Sequence, residues 1–566
     1  MNKNLPKIIK TNIDDKLFID GNNPLYISLN LTDSECQISI INHITNEIQI
    51  ICFKKDIYSI PTIIYFDEKK NDIKIGIDAE NSGTNKPTQI LFNLLKFIGI
   101  NYDEIIGKKD LWPFKIYKNE ITNRPYIKVE YNGQKEKIFY FEDILSMFLQ
   151  KLFEQFFKKI IIKNSKNIKL YLQLGLPNYL NYLQKKIIEK IFQNNIFSNN
   201  IFYNGCNVIL EQIKLENSTN VMCLYNELGN VNNYEKNILC IFIDRCSINL
   251  SIINKKRMLY EVKGIESAGF GEEDFIDNYI CYCLRNLDEN IKRKFFQSPL
   301  LLYQLRKAII LAKKNFNVLS QIKTDINITI EEVQNNNNKN ISILLKKYDF
   351  VQSCDEFYKK ISLLIKNILN KSCLTEMDID DLILIGESAK SPKIKLILYD
   401  IFKNNKNINQ ILLLSDTKEI NNEYLISIGC ALQAMNNNNL LLSKYIFTEI
   451  TPFSFGIETL DGLMDIVIQK GKKLPYKNKK LIKINNKNEN ICVNIYEGDD
   501  ICVKNNKFIT SAIIDKSNFK RIDEKDFIEV FVQLEIDCDY DLKCYIFDPK
   551  SISRFECLIN INVVKS

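Results

Sequence analysis

The 566-residue chain holds one histidine, His43, so mechanisms built on histidine pairs are excluded, and so are histidine-rich metal sites. Its 16 cysteines are scattered singly, with Cys281 and Cys283 the nearest to each other and no CxxC pair. That spacing fits neither a zinc finger nor a disulfide scaffold, and predicts reduced, buried thiols. Chemistry therefore falls to carboxylates, lysines, arginines and backbone turns. One turn stands apart. IFIDRCSINLSIIN, residues 241–254, reads as two short apolar strands joined through Asp244, Arg245 and Cys246, where a tight turn ordinarily takes glycine or asparagine.

Those residues have to be positioned by a soluble, multidomain chain. At this length a single core is too small a prior, and two to four domains are expected. Apolar residues make up 45% and charged residues 26%, ordinary values for a globular protein. The net charge of +7 is the difference between 76 basic and 69 acidic residues, a mild bias that is no nucleic-acid signature. No apolar run is long enough to span a bilayer, the first 24 residues carry no apolar signal core, and the VVKS end carries no retention or lipidation motif. A cytoplasmic protein without membrane contact is expected.

Short apolar or alternating runs (YISLNL, CQISII, EIQIICF, TIIYF) predict strands over 25–66, and TQILFNLLKFIG predicts a helix over 88–99 stopped by Gly99. An amphipathic helix is predicted over 141–159, with Ile144, Leu145, Phe148, Leu149, Leu152, Phe153, Phe156 and Phe157 on one face. A strand over 168–174, helices near 179–192, 272–285 and 421–435, and the strand DLILIG (381–386) follow. After 448 the pattern changes to strands and turns. The chain thus divides into an N-terminal extension (1–24), an α/β domain (25–438), a linker (439–449) and a β-rich module (450–566).

Several stretches, in order, resemble the 70-kDa heat-shock chaperones: SIPTIIYFDE with IKIGIDAEN and NKPTQILFNLLKFIG, LWPFKIY with YFEDILSMFLQKL, GFGEEDFIDNYI, DLILIGESAKSPKI, ITPFSFGIETLDGLM and YEGDD. The resemblance runs from about residue 25 to the end. It implies an actin-like, two-lobed ATPase domain, an apolar linker and an all-β sandwich that grips extended peptides. The helical lid that follows the sandwich in the family is expected to be absent, which places the chain nearest the atypical subunit of the ribosome-associated complex.

The resemblance also implies where ATP would sit. LNLTDSEC (29–36) stands for the family's first glycine-rich phosphate hairpin, with Asn30 for a magnesium-organising aspartate, Thr32 for glycine and Asp33 for threonine. IFIDRCSIN stands for the second, with Phe242 for an aspartate and Asp244-Arg245-Cys246 for three glycines. The catalytic lysine falls on Glu80 and a metal-holding glutamate on Gly205, while Ser34 and Ser247 keep hydroxyls. Asp33 would set a negative charge among the phosphates, and two like charges 4 Å apart cost about 4 kcal/mol at an effective dielectric near 20. Weak ATP binding without organised magnesium and without hydrolysis is expected, and Arg245 is expected to fill the vacated space within about 4 Å of Asp33 or Glu80. On the adenosine side Gly386, Ser388 and Lys390 match the family's GGSTR, and Lys313 with Lys314 matches a basic pair, though the acidic residue upstream is Ile310. Two readings stand there: a weak nucleotide site, or a plain strand–helix turn.

In the β-module the resemblance places a peptide channel on Ile457, Thr459, Leu460, Leu481, Ile484, Ile491 and Val493, positions that a sandwich core would also make apolar. The linker, KYIFTE (444–449), keeps Tyr445, Ile446 and Phe447 apolar. Lys470, Lys472, Lys473, Lys477, Lys479, Lys480, Lys483 and Lys487 form either an RNA-binding stretch or a solvated loop. Trp112 is expected as a packed anchor. The implied partners are a J-domain co-chaperone, unfolded or nascent polypeptide, and the ribosome. Three functions are set side by side: a non-hydrolysing scaffold, a slow ATPase chaperone, and an interaction module with no chaperone role.

Overall fold

LYISLNL and ECQISIIN are β-branched and apolar on both faces, and they pair as an antiparallel hairpin, Leu25–Leu31 with Glu35–Asn42, at the centre of a sheet covered on both sides. The computed structural model describes residues 6–42, 44–84, 86–105, 109–197, 202–203, 205–228, 234–316, 323–332, 337–405, 424–441, 444–485, 490–515, 527–547 and 554–557. His43, which the sequence singled out, lies outside them.

In the first lobe the strand order is Lys7–Lys10, Glu47–Ile50, Glu35–Asn42, Leu25–Leu31, Asn167–Leu176, Cys206–Asn217 and Phe202–Tyr203. The second lobe repeats the plan in five strands: Asp381–Ile385, Lys236–Ile243, Ile248–Lys256, Leu259–Ala268 and Ile446–Thr448. The hairpin Lys236–Ile243 with Ile248–Lys256 therefore occupies in this lobe the place that Leu25–Asn42 occupies in the other. Helix Leu425–Asn437 fills the space between the lobes, and Ser427 ties it to the first hairpin through Ser28 (3.1 Å) and Ser39 (2.7 Å).

Helix Phe141–Phe157 buries the eight-residue face read from its periodicity. The segment 88–99 does otherwise. Two single 3₁₀ turns flank a short strand, Ile90–Leu91, that pairs with Ile64–Asp67, and Asn93 breaks the path with φ 60°. The apolar spacing is real, but sheet pairing wins over helix there. The N-terminal segment also does more than precede the fold. Lys7–Lys10 pairs in parallel with Glu47–Ile50, and Leu17–Asp20 with Ile160–Lys163.

The C-terminal part forms two four-stranded antiparallel sheets, Met464–Ile468/Phe455–Glu458/Asn490–Glu497/Lys507–Asp515 and Tyr476–Asn485/Phe527–Ile536/Leu542–Phe547/Arg554–Cys557. Ile457, Ile491, Val493 and Ile495 from one sheet share a core with Val530, Val532, Leu534 and Ile546 from the other. That core is continuous with the first lobe, where Tyr182 meets Phe455 edge-on at 6.1 Å. Ile446–Thr448 of the linker lies along the second lobe's sheet edge, paired with Leu259–Glu261. The cysteines with described side chains are not joined in disulfides, and among the described residues no helix is long and apolar enough to cross a membrane.

Candidate functional site

The two hairpins point their turns at each other across the cleft between the lobes. A turn of successive backbone N–H groups is a ready anion cradle. Here the anion is supplied from within. The Asp244 carboxylate, from the second turn, accepts the N–H groups of Asp33 (3.1 Å) and Ser34 (3.0 Å) in the first, and the Ser34 hydroxyl as well. Ser34 Oγ in turn accepts the Arg245 N–H at 3.1 Å. Asp244 is fully buried, and burial raises its carboxyl pKa against the pull of these donors.

The second turn is equally closed on its other side. The carbonyls of Asp244 and Arg245 accept the Glu272 and Glu273 N–H groups, at 3.1 and 2.8 Å, so the first turn of helix Glu272–Arg285 is capped by the chain itself. The approach is backbone to backbone: a Cβ on Gly271 would lie 2.3 Å from the Asp244 carbonyl, and one on Gly386 would lie 2.0 Å from that of Ile243. Gly386 also sits at φ 115°, so both features demand glycine.

Asp33 behaves differently from the sequence expectation. Its carboxylate turns into the first lobe, accepting Leu95 N–H (3.1 Å), Lys96 N–H (3.3 Å) and the Tyr179 hydroxyl (2.5 Å). Burial, and then the neighbouring Asp244, push its pKa up to about 7. Arg245 also departs from expectation, since it forms no ion pair with Asp33 or Glu80. Its guanidinium lies 6.0 Å from the Phe92 ring centroid, and Arg306 lies 5.4 Å from the same centroid. The physical reason is that Asp33 is already satisfied by two amides and a phenol, which leaves it no need of a cation.

Behind the turns lies a cavity of about 430 Å³. Asn30, Ser34, Glu80, Phe242, Lys314 and Gly386 line it together with an apolar wall that includes Ile63, Phe92 and Ile276. Arg245 and Ile310 line it as well, whereas Lys313, Ser388, Lys390, Ser247 and Asp33 do not. Lys313 is buried and donates to Glu272 (2.5 Å) and Ser388 (2.7 Å); burial alone would raise the Glu272 carboxyl, but Lys313 overrides it and holds that pKa down. Lys390 is exposed and pairs with Glu387 at 2.9 Å. Ser247 is buried, and its hydroxyl accepts from Asn249 at 2.9 Å.

Gly205 is far from the cleft, in the turn before strand Cys206–Asn217. Parallel strands present the same end to a shared site, and here that end is C-terminal. The residue at the cleft end is Glu216, in register with Gly175, whose other partner is Asn30. Register is what the sequence lacked, and the run LEN at the strand's end was the available signal. The cross-lobe role of Asp244 was also missed, because it was counted only as a missing glycine.

In the β-module Ile457, Ile491 and Val493 are sealed in the core, while Leu460 and Leu481 are about half exposed. Thr459 closes its turn by bonding Leu463 O through both its N–H (2.9 Å) and its hydroxyl (3.1 Å). Ile484 lies in strand Tyr476–Asn485, with its side chain outside the described residues. Much of the lysine stretch is neutralised locally: Lys470 pairs with Glu266, Lys473 with Glu261, and Lys480 with Asp465. Lys487 lies outside the described residues. Trp112 is buried against Phe97 and Phe114 and donates to Asp277 at 3.3 Å, a packed anchor as expected.

Comparison with known proteins matches residues 26–190 and 210–540 to the family described as Hsp70 protein. The chain belongs to the Hsp70 family. Its relatives are distant: heat shock cognate 70 kDa protein 3 of Dictyostelium discoideum is 22% identical over 82% of this chain and 70% of its own length. Heat shock 70 kDa protein of Emericella nidulans is 21% identical over 82% and 67%, and a heat shock protein of Pyricularia oryzae 22% over 80% and 69%. Membership covers both lobes, the linker and most of the β-module of this Hsp70-family chain.

Proposed function

We propose that this is a non-hydrolysing Hsp70-family chaperone that works as a scaffold beside a J-domain co-chaperone, holding unfolded or nascent polypeptide at the ribosome in the cytoplasm. The observation that carries the reading is the Asp244 carboxylate seated on the Asp33 and Ser34 amides. The family's ligand is ATP with magnesium, and the residues present do not fit it. The cradle amides are engaged, Glu80 offers a carboxylate to a position where transferring phosphate needs a cation, and Asn30 and Phe242 offer a carboxamide and a phenyl where a hydrated metal needs carboxylates. Peptide recognition rests on the half-exposed Leu460 and Leu481, with the partner and the ribosome carried over from the resemblance.

The cavity of about 430 Å³, with Gly386 and Lys314 on its wall, supports a second reading, a slow ATPase that still admits the nucleoside end. Calorimetry of the full chain with magnesium-ATP, followed by a turnover assay, separates the two. No heat of binding and no turnover are expected. Micromolar affinity with turnover abolished by changes at Lys314 or Gly386 overturns the scaffold reading. Cosedimentation with ribosomes at low and high salt tests the location, and a protein left in the ribosome-free fraction at low salt removes that assignment.

A further inference from the structure

The first lobe, the linker and the β-module meet at a junction that hides an unbalanced set of charges. From the lobe come Lys185 and Glu216, from the linker Glu449, and from the β-module Glu497, and all four side chains are more than nine-tenths buried. The Tyr182 N–H, at the start of helix Tyr182–Ile191, donates to both oxygens of Glu497 at 3.0 and 2.8 Å. Glu449 accepts from Asn220 (2.6 Å) and from the Tyr540 hydroxyl (2.9 Å). Tyr540 also accepts from Asn217, which accepts from Lys185 at 2.7 Å. Three carboxyls thus face one ammonium, and no carboxylate lies within ion-pair distance of Lys185 among the described residues. Glu216 takes a hydrogen bond from Gln173 instead (2.7 Å).

Such a cluster cannot be buried fully ionised, because each uncompensated charge in a dry interior costs several kcal/mol. The separated bodies return Glu449 and Glu497 to water. Docking and proton uptake are therefore coupled by geometry. We infer that the contact between the first lobe, the linker and the β-module is a proton-linked latch, which tightens when the solution is acidified and loosens above neutrality.

Burial sets the direction for each carboxyl, against the cations and donors that face it. Burial pushes Glu497 up to about 8 against Lys185 and Lys507, with Asp499 adding to the rise. Burial pushes Glu449 up to about 7 against Tyr540, Asn220 and Lys185. Glu216 is raised well above its ordinary value by burial and then by Glu449, against Lys214 and the Gln433 hydrogen bond, with Asp539 adding to the rise. Carboxyls raised on docking strengthen the contact below their free pKa, and that strength is lost as pH climbs through 7 to 8. Lys185, pushed down to about 8 by burial, has the opposite sign and offsets part of the loss only above about pH 8. Lys186, which pairs with Asp541 across the same junction, is held charged throughout.

The test is hydrogen exchange of the full chain, read at the linker strand, where the Ile446 N–H bonds the Met258 carbonyl, and corrected for the intrinsic pH dependence of exchange. Linker protection in the wild type is expected to fall about tenfold or more from pH 6.5 to 8.5. Glu449→Gln with Glu497→Gln should abolish the fall, leaving the linker at least as protected at pH 8.5 as at pH 6.5, whereas Lys186→Ala should lower protection at both and keep the slope. A flat wild-type profile, or a double variant with the wild-type slope, overturns the latch. Should the double variant fail to fold, the wild-type and Lys186→Ala profiles still decide the matter.

Discussion

Asp244 and Ser34 belong to different lobes and are joined by two hydrogen bonds, one from the Ser34 N–H at 3.0 Å and one from its hydroxyl. The bond closes the cleft with a side chain where a diffusible anion would otherwise be needed. Asp244→Ala leaves the Asp33 and Ser34 amides buried without an acceptor, and a loss of about 2–5 kcal/mol in urea unfolding is expected. Sulphate should restore part of that loss in the variant and do nothing for the wild type.

Charge restoration at one position will not revive hydrolysis. Glu80→Lys places a cation on the cavity wall, but the cradle amides still donate to Asp244. Phosphate release from ATP by the variant should stay at background, and detectable turnover would show that the self-filled turn is not what blocks the site.

Asp33 makes the native fold depend on pH. Its carboxyl is raised to about 7, from an unfolded value near 3.9. The stability it contributes is therefore complete below about pH 4 and is lost as pH rises through 7. Melting curves between pH 5 and 8 should show the wild type weakening more steeply than Asp33→Asn.

Arg306 is buried between Glu273 and Asp277 and ties the cavity floor to helix Glu272–Arg285. Removing the cation leaves two carboxylates in a dry site, so Arg306→Leu should cost about 3–5 kcal/mol by chemical denaturation.

The half-exposed and sealed positions of the β-module should part company. Leu460→Ser and Leu481→Ser are expected to weaken anisotropy binding of an extended apolar peptide while changing stability by less than about 0.5 kcal/mol. Ile491→Ala should cost about 2–5 kcal/mol and lower binding only through unfolding.

Periodicity made the helix Phe141–Phe157 and the paired hairpins legible, because each repeats one apolar face without competition. It failed at 88–99, where the φ of 60° at Asn93 and pairing with the strand Ile64–Asp67 outvote helical spacing, and neither the angle nor the partner is visible from the segment alone. At the cleft, residue types were legible and directions were not. Asp33 reads in the sequence as a charge set among the phosphates, but Tyr179, 146 residues away, draws it into the lobe. Gly205 and Glu216 differ by a strand's length, and only the register with Gly175 separates them.

The strand Lys7–Lys10 has a bearing on handling the molecule as well as on its shape. It forms the outer edge of the first lobe's sheet in place of Glu47–Ile50, so the edge that faces outward is a four-residue strand with a lysine at each end. Open edges recruit other chains. A selvedge this short, with Lys7 and Lys10 at its ends, gives a neighbouring chain little to knit onto.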